Sequence, residues 1–322
     1  MCAVLSSKTL VTGGAGFIGS HLVDALMARS YSVRIVDNMS SGRLDNVETW
    51  IGDAHFELLR GDLKKRSIAI KAVEDVETVF HLAANPDVRS GAAHPSSHLR
   101  ENLLVTYNLL EAMRKSRQAK RILFASSSTV YGEPETFPTP EDYGPLLPIS
   151  VYGACKLASE SLISAYCHTY DLQGTILRFA NIVGSKSTHG VIFDFFEKLK
   201  RNQSELEILG DGTQTKSYLH VKDLIEVFFI VMRILKRSKC EIFNVGSSDQ
   251  VKVVRIAEIV SEEMKLAKPR FVFRSPTQDG RGWKGDVKTM CLSSKKLMEL
   301  GWVQTLTSEG AVRLACRELL SK

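Results

Sequence analysis

Hydrophobic and polar positions follow two alternating periods along the first half of the chain. Short apolar or β-branched runs, such as residues 8–12 and 121–125, have the length and composition of buried strands. Between such runs lie segments with helical spacing, of which residues 99–117 and 152–170 are the longest. Strands that alternate with helices in this way form a parallel sheet with crossover helices on both faces. The pattern therefore predicts an α/β fold with a doubly wound parallel sheet.

Beyond residue 185 the alternation becomes less regular. Helical and strand-like patterns continue there, over residues 191–201, 206–209, 221–237, 241–246, 254–264, 270–273 and 307–320. We expect a first domain over residues 1–180 and a smaller C-terminal α/β lobe over residues 181–322, with some chain crossing between them. Such an arrangement closes a cleft at the carboxyl ends of the parallel strands.

Composition and charge are typical of a globular protein that binds no nucleic acid. With 44% hydrophobic and 24% charged residues, the chain has the composition of an ordinary globular protein. Its net charge of +6 is spread along the chain and forms no basic tract. This distribution predicts no nucleic-acid partner and slightly favours small anionic ligands.

The chain carries no pattern of a secretory signal or a membrane span. Its longest apolar segment, residues 224–235, contains Glu226 and Arg233 and is far shorter than the ~20 residues a span needs. The first residues run directly into a strand-like segment without a cleavage site. We therefore expect a cytoplasmic protein with no membrane partner.

Cysteine spacing indicates neither a metal site nor a disulfide framework. The chain has no C-x-x-C pair and no matching histidine pattern. We expect reduced, packed thiols and no metal at any of the six cysteines, which are Cys2, Cys155, Cys167, Cys240, Cys291 and Cys316.

A glycine-rich turn follows the first predicted strand. Gly13, Gly14, Gly16 and Gly19 lie between an apolar strand and a helix. Glycines at this spacing allow a tight turn, close approach of backbone N–H groups to a pyrophosphate, and close packing of helix on strand. The turn thus predicts a Rossmann-type dinucleotide-binding domain.

The acidic residue after the second strand favours NAD as the dinucleotide. Asp37 ends that strand at about the spacing where a carboxylate accepts hydrogen bonds from the ribose hydroxyls. The same carboxylate would repel a 2′-phosphate. Arg43 lies close enough in sequence to keep NADP as a minor alternative.

A tyrosine and a lysine are candidates for proton transfer. Tyr152 and Lys156 are four residues apart, so on a helix they share one face. A phenol has a pKa near ~10 and becomes a base at neutral pH only if nearby positive charge stabilises the phenolate. Lys156, together with an oxidised nicotinamide, can provide that charge.

Five motifs occur in a fixed order along the chain, namely TGGAGFIGSHL, GDL, HLAA, SSSTVYG and SVYGACK. Together they resemble the extended short-chain dehydrogenase/reductase family, and within it the NAD-dependent epimerases and dehydratases, most of all the UDP-glucose 4-epimerases. The resemblance covers nearly the whole chain, because residues 210–224 and 280–287 are similar to nucleotide-sugar-binding segments of that family. It implies a UDP-sugar substrate and a homodimer.

The resemblance also implies roles for individual residues at the reaction centre. Ser127 would hydrogen-bond the 4-oxygen of the sugar, Tyr152 would take its proton, and Lys156 would hold the nicotinamide ribose. The implied NAD contacts are Gly13, Gly16, Phe17, Ile18, Asp37, Asn38, Ser41, Gly42, Asp62, Leu63, Leu82, Ala83, Ala84, Asn102, Tyr152 and Lys156.

The implied contacts of the nucleotide sugar are Ser127, Asn181, Gly190, Val191, Lys216, Tyr218, Arg281 and Asp286. Lys216 stands where the family usually has arginine, which keeps the charge but loses the bidentate fork. Trp283 stands at another expected arginine, so Arg281 is the alternative phosphate contact, and Trp283 either stacks on the base or packs. Met290 lies near the position that limits the C2 substituent, and a flexible methionine leaves that choice open.

The residues after Ser127 bear on the reaction. Family members that dehydrate or decarboxylate the sugar tend to carry acidic residues where this chain has Ser128 and Thr129. Hydroxyls of high pKa are poor proton donors and acceptors at a second carbon. We therefore expect 4-epimerisation of UDP-glucose and UDP-galactose through a transient 4-keto sugar, with bound NAD regenerated. Another nucleotide-sugar epimerase, a reductase and a non-catalytic NAD-binding protein remain as alternatives.

The expected homodimer would form between the helices of residues 100–116 and 152–169. Their apolar side chains can serve such a bundle or face the sheet instead; these are Leu103, Leu104, Leu110, Leu157, Leu162 and Ile163. Two further residues are not assigned to the site. We expect His81 to pack in its strand, and Arg89 to face either the cleft or the surface.

Overall fold

The computed structural model describes residues 8–234 and 238–321. Its centre is a seven-stranded sheet in the order β11-β6-β5-β4-β1-β2-β3, and all of its neighbouring strands pair in parallel. These strands are β1 (Lys8–Thr12), β2 (Val33–Asp37), β3 (Phe56–Arg60), β4 (Val76–His81), β5 (Arg121–Ser127), β6 (Gln173–Phe179) and β11 (Cys240–Val245). The predicted doubly wound α/β fold is thereby confirmed.

Helices flank the sheet and continue into the C-terminal part of the chain. The segment Leu99–Leu104 is wound as a π-helix and joins the α-helices Pro95–His98 and Val105–Lys115. The α-helices are α1 (Phe17–Met27), α2 (Arg66–Ala72), α3 (Ser90–Ala93), α4 (Pro95–His98), α5 (Val105–Lys115), α6 (Val151–Thr169), α7 (Val191–Arg201), α8 (Val221–Ile234), α9 (Val253–Glu263), α10 (Lys295–Glu299) and α11 (Ser308–Leu320).

Apolar side chains cover both faces of the central sheet. On one face, Leu22 and Leu26 of α1 and Phe228 of α8 pack with strand residues into one core cluster. On the other face, residues such as Leu109 of α5 and Ile163 of α6 form a second cluster. Burial on both faces explains why these strands read as continuous apolar runs in the sequence.

The chain after residue 180 also forms short strands in small sheets, beside an apolar core cluster that includes Phe195, Ile208 and Ile256. These strands are β7 (Asn181–Val183), β8 (Glu205–Leu209), β9 (Thr215–Lys216), β10 (Tyr218–His220), β12 (Val251–Lys252), β13 (Arg270–Arg274) and β14 (Thr289–Met290). Strand β11 and helix α8 lie beyond residue 181 in sequence, yet they build the central sheet and its cover. The chain therefore crosses between the two parts.

Five of the six cysteines lie in the part of the chain that the structure describes. Cys155, Cys167, Cys240, Cys291 and Cys316 are free thiols, whereas Cys2 lies outside the described residues. Over residues 8–234 and 238–321, no group of His, Cys, Asp and Glu side chains has the arrangement of a metal site. In the same ranges, no helix has the length and apolarity to cross a bilayer.

Candidate active site

A cavity of about 900 Å³ opens at the carboxyl ends of the central strands. Its walls come from the loops after β1, β2, β4 and β5, from the start of α6, and from the C-terminal lobe. In open parallel sheets this edge is where ligands bind, because the loops and helix N-termini converge there. The cavity is therefore the candidate active site.

The fold brings most of the sequence-predicted site residues to this cavity. The predicted residues that line it are Gly13, Gly16, Phe17, Ile18, Asp37, Asn38, Ser41, Asp62, Leu63, Leu82, Ala83, Ala84, Ser127, Tyr152, Lys156, Asn181, Gly190, Val191, Lys216, Tyr218 and Asp286. Gly42, Asn102 and Arg281 do not line it. A direct ligand contact by any of these three stays a prediction.

The glycine turn forms a narrow cradle at the N-terminus of α1. Gly13 has a φ of +69°, and a Cβ atom built on it would lie 3.0 Å from the backbone nitrogen of Ala83. A Cβ atom on Gly19 would lie 2.1 Å from the carbonyl oxygen of Gly13. Only glycine fits positions this tight, which lets backbone N–H groups approach a pyrophosphate at the helix end.

Asp37 is buried at the end of β2, where its carboxylate organises the turn. It accepts hydrogen bonds from the backbone N–H groups of Ala15 (3.0 Å) and Met39 (2.8 Å). A Cβ atom on Gly42 would lie 2.9 Å from both carboxylate oxygens, so the absence of a side chain at this position leaves room for Asp37. The cradle and this carboxylate together fit the pyrophosphate and ribose of a dinucleotide.

A buried hydrogen-bond chain holds the loop after β4. His81 contacts the hydroxyl of Thr12 through Nδ1 (2.8 Å) and that of Thr106 through Nε2 (2.9 Å). The Thr12 hydroxyl in turn accepts from the N–H groups of Leu82 and Ala83. Burial lowers the pKa of His81 to about 3, so the ring is neutral and structural. This matches the expectation that His81 packs in its strand.

Asn102 braces the same loop without lining the cavity. Its side-chain oxygen accepts from the N–H group of Asn85 (2.7 Å), and its amide nitrogen contacts Nδ1 of His98 (3.1 Å). His98 is fully buried, and its ring packs edge-on against Tyr152 at 5.7 Å between centroids. Asn102 thus supports the wall beside the candidate catalytic residues.

Ser127, Tyr152 and Lys156 meet where β5 ends beside the first turns of α6. Ser150 caps this helix by accepting from the N–H group of Gly153, which fixes where the helix begins. Lys156 is buried, and its Nζ donates to the carbonyl oxygen of Ala125 (2.7 Å) and lies 5.7 Å from the Tyr152 ring centroid. The three residues therefore form one compact constellation.

The electrostatics of this constellation differ from the sequence-based expectation. Burial raises the pKa of Tyr152 to about 12, and the nearby Ser127 side chain only partly opposes this. Burial lowers the pKa of Lys156 to about 8, although the negative charge of Glu160 acts to raise it. The protein alone therefore does not make Tyr152 a base at neutral pH. A base role requires further positive charge next to the phenol.

The C-terminal wall of the cavity carries one ion pair and one tryptophan. Lys216 Nζ lies 2.7 Å from the carboxylate of Asp286, which is buried. Two cations lie near the indole of Trp283, with Lys216 Nζ and the Arg89 guanidinium each 5.6 Å from its ring centroid. Trp283 and Arg89 both line the cavity, so Arg89 faces the cleft.

Arg281 is held away from the cavity by other partners. Its guanidinium pairs with the carboxylates of Glu133 and Asp279 and donates to the carbonyl oxygen of Asp286 (2.6 Å). Two carboxylates on one guanidinium leave little charge for a phosphate. In this arrangement Arg281 fixes the loop that carries Trp283 and Asp286.

Several residues at the site were not predicted from the sequence. Gln214, Thr188 and His189 line the cavity, and nothing in their local sequence marks them. Glu160 lies behind the site, buried and paired with Arg178. The sequence could have indicated Glu160, because it follows Tyr152 and Lys156 at a helical spacing. A carboxylate on a buried helix face needs a partner.

Comparison with known proteins relates the chain to nucleotide-sugar enzymes. Residues 9–246 match the family model described as "NAD dependent epimerase/dehydratase family". A putative UDP-glucose 4-epimerase of Methanocaldococcus jannaschii is 35% identical over 91% of this chain and 92% of its own length. UDP-glucuronic acid decarboxylase 6 of Arabidopsis thaliana is 32% identical over 92% of this chain and 83% of its own.

Solved structures of UDP-sugar epimerases are similar to this chain over nearly its whole length. A crystal structure of UDP-galactose 4-epimerase matches with a TM-score of 0.87 and 41% identity, over 98% of this chain and 99% of that one. UDP-glucuronic acid 4-epimerase from Bacillus cereus, in complex with UDP-glucuronic acid and NAD, matches with a TM-score of 0.87 and 26% identity over the same shares.

Proposed function

The chain belongs to the NAD-dependent epimerase/dehydratase family, and we propose that it is a UDP-hexose 4-epimerase that interconverts UDP-glucose and UDP-galactose. The family uses NAD, and its members include epimerases of several UDP-sugars as well as decarboxylases. The proposal therefore concerns two choices: which reaction the site performs, and which sugar it accepts.

NAD would be held along the N-terminal wall of the cavity. The cradle of Gly13, Gly16 and Gly19 suits the pyrophosphate, and Asp37 suits the adenosine ribose. Burial of Asp37 beside this turn disfavours a 2′-phosphate, which supports NAD over NADP. When bound, NAD accepts a hydride from the sugar carbon and returns it.

In this proposal each of the three central side chains has one task. The Ser127 hydroxyl hydrogen-bonds the sugar 4-oxygen, and the Tyr152 phenol removes and later returns the proton of the 4-hydroxyl. Lys156 holds the cofactor ribose and supplies positive charge that stabilises the phenolate. Because desolvation raises the pKa of Tyr152 to about 12, this charge is needed to offset it.

The observation that carries the choice of reaction is the end of β5. Thr129 bonds the Ser127 oxygen through its N–H group (3.2 Å) and its hydroxyl (3.0 Å), and Ser128 also lines the cavity. Elimination or decarboxylation needs proton transfer at a second position, for which hydroxyl groups are poorly suited. These positions support chemistry at one carbon only, which favours epimerisation over decarboxylation.

Incubation with individual UDP-sugars tests the proposal. UDP-galactose, UDP-N-acetylglucosamine and UDP-glucuronic acid are each mixed with the purified protein without added reductant and followed by proton NMR. We expect UDP-glucose to form from UDP-galactose with no net change in absorbance at 340 nm. Loss of the C6 carbon from UDP-glucuronic acid would reject epimerisation in favour of decarboxylation. In a parallel sample with added NADH, net oxidation of the NADH would indicate a reductase.

We further propose a homodimer built on α5, α6 and the π-helical segment. Leu99 and Leu104 are exposed by 51% and 39%, and Ala154, Ser161 and Ala165 are exposed along α6. Leu110 and Ile163 instead lie in the sheet-facing core, so they are not available to a partner. Small residues beside exposed leucines suit close helix packing between two copies.

Sedimentation equilibrium tests this proposal. We expect the protein of 35.8 kDa to sediment at about twice that mass, and Leu99→Glu with Leu104→Glu to sediment as a monomer because two carboxylates cannot be buried unpaired. Ile51→Glu, which changes a leucine-sized residue of similar exposure elsewhere on the surface, serves as the control and should remain dimeric. A wild-type monomer at micromolar concentration would contradict the proposal.

A further inference from the structure

The end of β5 and one face of α6 meet at three places. Ser127 and Tyr152 both line the cavity where β5 meets α6, the carbonyl oxygen of Ala125 accepts from Lys156, and the Ser126 hydroxyl donates to the carboxylate of Glu160. The helix members lie at positions 152, 156 and 160, so they form one row at a spacing of four. Only the first two pairs are used in the proposed reaction.

The third pair is embedded in a buried ionic network. Ser126, Glu160 and Arg178 are each less than 5% exposed. The Arg178 guanidinium forms a fork on Glu160, with Nη2 at 2.7 Å from one oxygen and Nε at 3.1 Å from the other. Charges buried in this way need complete pairing, and Ser126 occupies a remaining acceptor site of the carboxylate.

The network also reaches the segment that follows Ser127. Arg178 Nη1 donates to the Tyr131 hydroxyl (2.8 Å), and that hydroxyl donates to Asn244 on β11 (2.8 Å). In the sheet register, Ser126 is the partner of Arg178 on β6, and Arg178 is the partner of Asn244. Three neighbouring strands and α6 are therefore joined at one level, directly behind Ser127.

We infer that Glu160 is a positioning residue for the reaction centre. It anchors Ser126, and with it the strand end that presents Ser127 and the Ala125 carbonyl, against the helix face that presents Tyr152 and Lys156. It also supplies a buried negative charge beside Lys156. The inference rests on the proposed role of Lys156 in the reaction.

The groups around Lys156 determine whether loss of the Glu160 charge raises or lowers the Lys156 pKa. Its own helix contributes Tyr152, Cys155 and Glu160; His81 on β4 and His98 on α4 also face it. Burial lowers the pKa of Lys156, whereas Glu160 and, more weakly, Cys155 raise it. Loss of the carboxylate should therefore lower this pKa further, and Lys156 should lose its proton at a lower pH.

The test compares Glu160→Gln with the wild type by two readouts. The first is the titration of the Lys156 side chain, followed through its ¹³Cε resonance, which is assigned by its absence in Lys156→Arg. The second is the pH profile of kcat with UDP-galactose. We expect the Lys156 midpoint, near 8 in the wild type, to fall by about one pH unit in Glu160→Gln. The alkaline limb of kcat should move in the same direction.

Ser126→Ala separates anchoring from charge. It removes the hydroxyl link but keeps Glu160 and Arg178 paired, so we expect a lower kcat with an unchanged Lys156 midpoint. An equal shift of the midpoint in Ser126→Ala would overturn the assigned role of the Glu160 charge. A folded Glu160→Gln protein with wild-type midpoint and pH profile would overturn the inference as a whole.

A second variant covers the case in which Glu160→Gln does not fold, since that change leaves Arg178 buried without a counter-charge. The double variant Glu160→Gln with Arg178→Met removes both charges and keeps the side-chain volumes. It should shift the Lys156 midpoint in the same direction but by less, because loss of the Arg178 cation acts in the opposite sense. An upward shift would reject the inference. Absence of any turnover in the wild type would reject the proposed function alone, because the Lys156 titration is measured independently.

Discussion

Replacement of Tyr152 by phenylalanine is expected to lower kcat by about 10²–10⁴ while NAD and UDP-sugar binding persist. The change deletes the phenol oxygen that would carry the proton of the sugar 4-hydroxyl, and it leaves the ring that packs against His98. The loss corresponds to about 3–5 kcal/mol of transition-state stabilisation. Initial rates of UDP-galactose conversion and the NAD content per subunit measure the two effects separately.

Tyr166→Phe is the matched control for this change. Tyr166 lies on the same helix, but its hydroxyl donates to Glu111 (2.8 Å) and it does not line the cavity. Its loss should leave kcat within about twofold, because hydrogen bonds of this kind act on stability. Retention of a tenth or more of the wild-type kcat in Tyr152→Phe would show that another group moves the proton.

The alternation of strands and helices was enough to predict the central sheet, because periodicity is a local property of the sequence. Strand β11 is the instructive exception. It pairs with β6 although residues 173–179 and 240–245 are about 60 positions apart, and local patterns do not determine which strands become neighbours. The domain boundary at residue 180 stays a prediction, because β11 joins the central sheet and α8 packs against it although both follow that residue.

The candidate site also contains features that local sequence patterns predict and features that they do not. The glycine turn, Asp37 and the Tyr152–Lys156 pair could be singled out because each signal depends on spacings along one continuous stretch of the sequence. The position of Arg281 was not, because Glu133, which pairs with it, comes from a loop nearly 150 residues earlier. The direction of the Tyr152 pKa was also not predictable, because burial is a property of the assembled fold.

Gly19→Ala is expected to produce the largest loss of cofactor. A Cβ atom at this position would lie 2.1 Å from the carbonyl oxygen of Gly13 and 2.9 Å from its carbonyl carbon. Both are backbone atoms of the cradle, so the clash is relieved only if α1 moves away from the turn. Overpacking of this kind typically costs about 1–3 kcal/mol of stability. We expect the NAD content of the purified protein to fall at least tenfold, together with a lower Tm.

Gly144→Ala is the control, because a Cβ atom on Gly144 meets no other atom within 4 Å. It should retain wild-type NAD content and Tm. Binding of UDP, measured by calorimetry well below the Tm of Gly19→Ala, separates a local effect from general unfolding, since Lys216 and Trp283 lie on the opposite wall of the cavity. Lost NAD with retained UDP binding assigns the cradle to the cofactor; unchanged NAD content would remove the main support for that assignment.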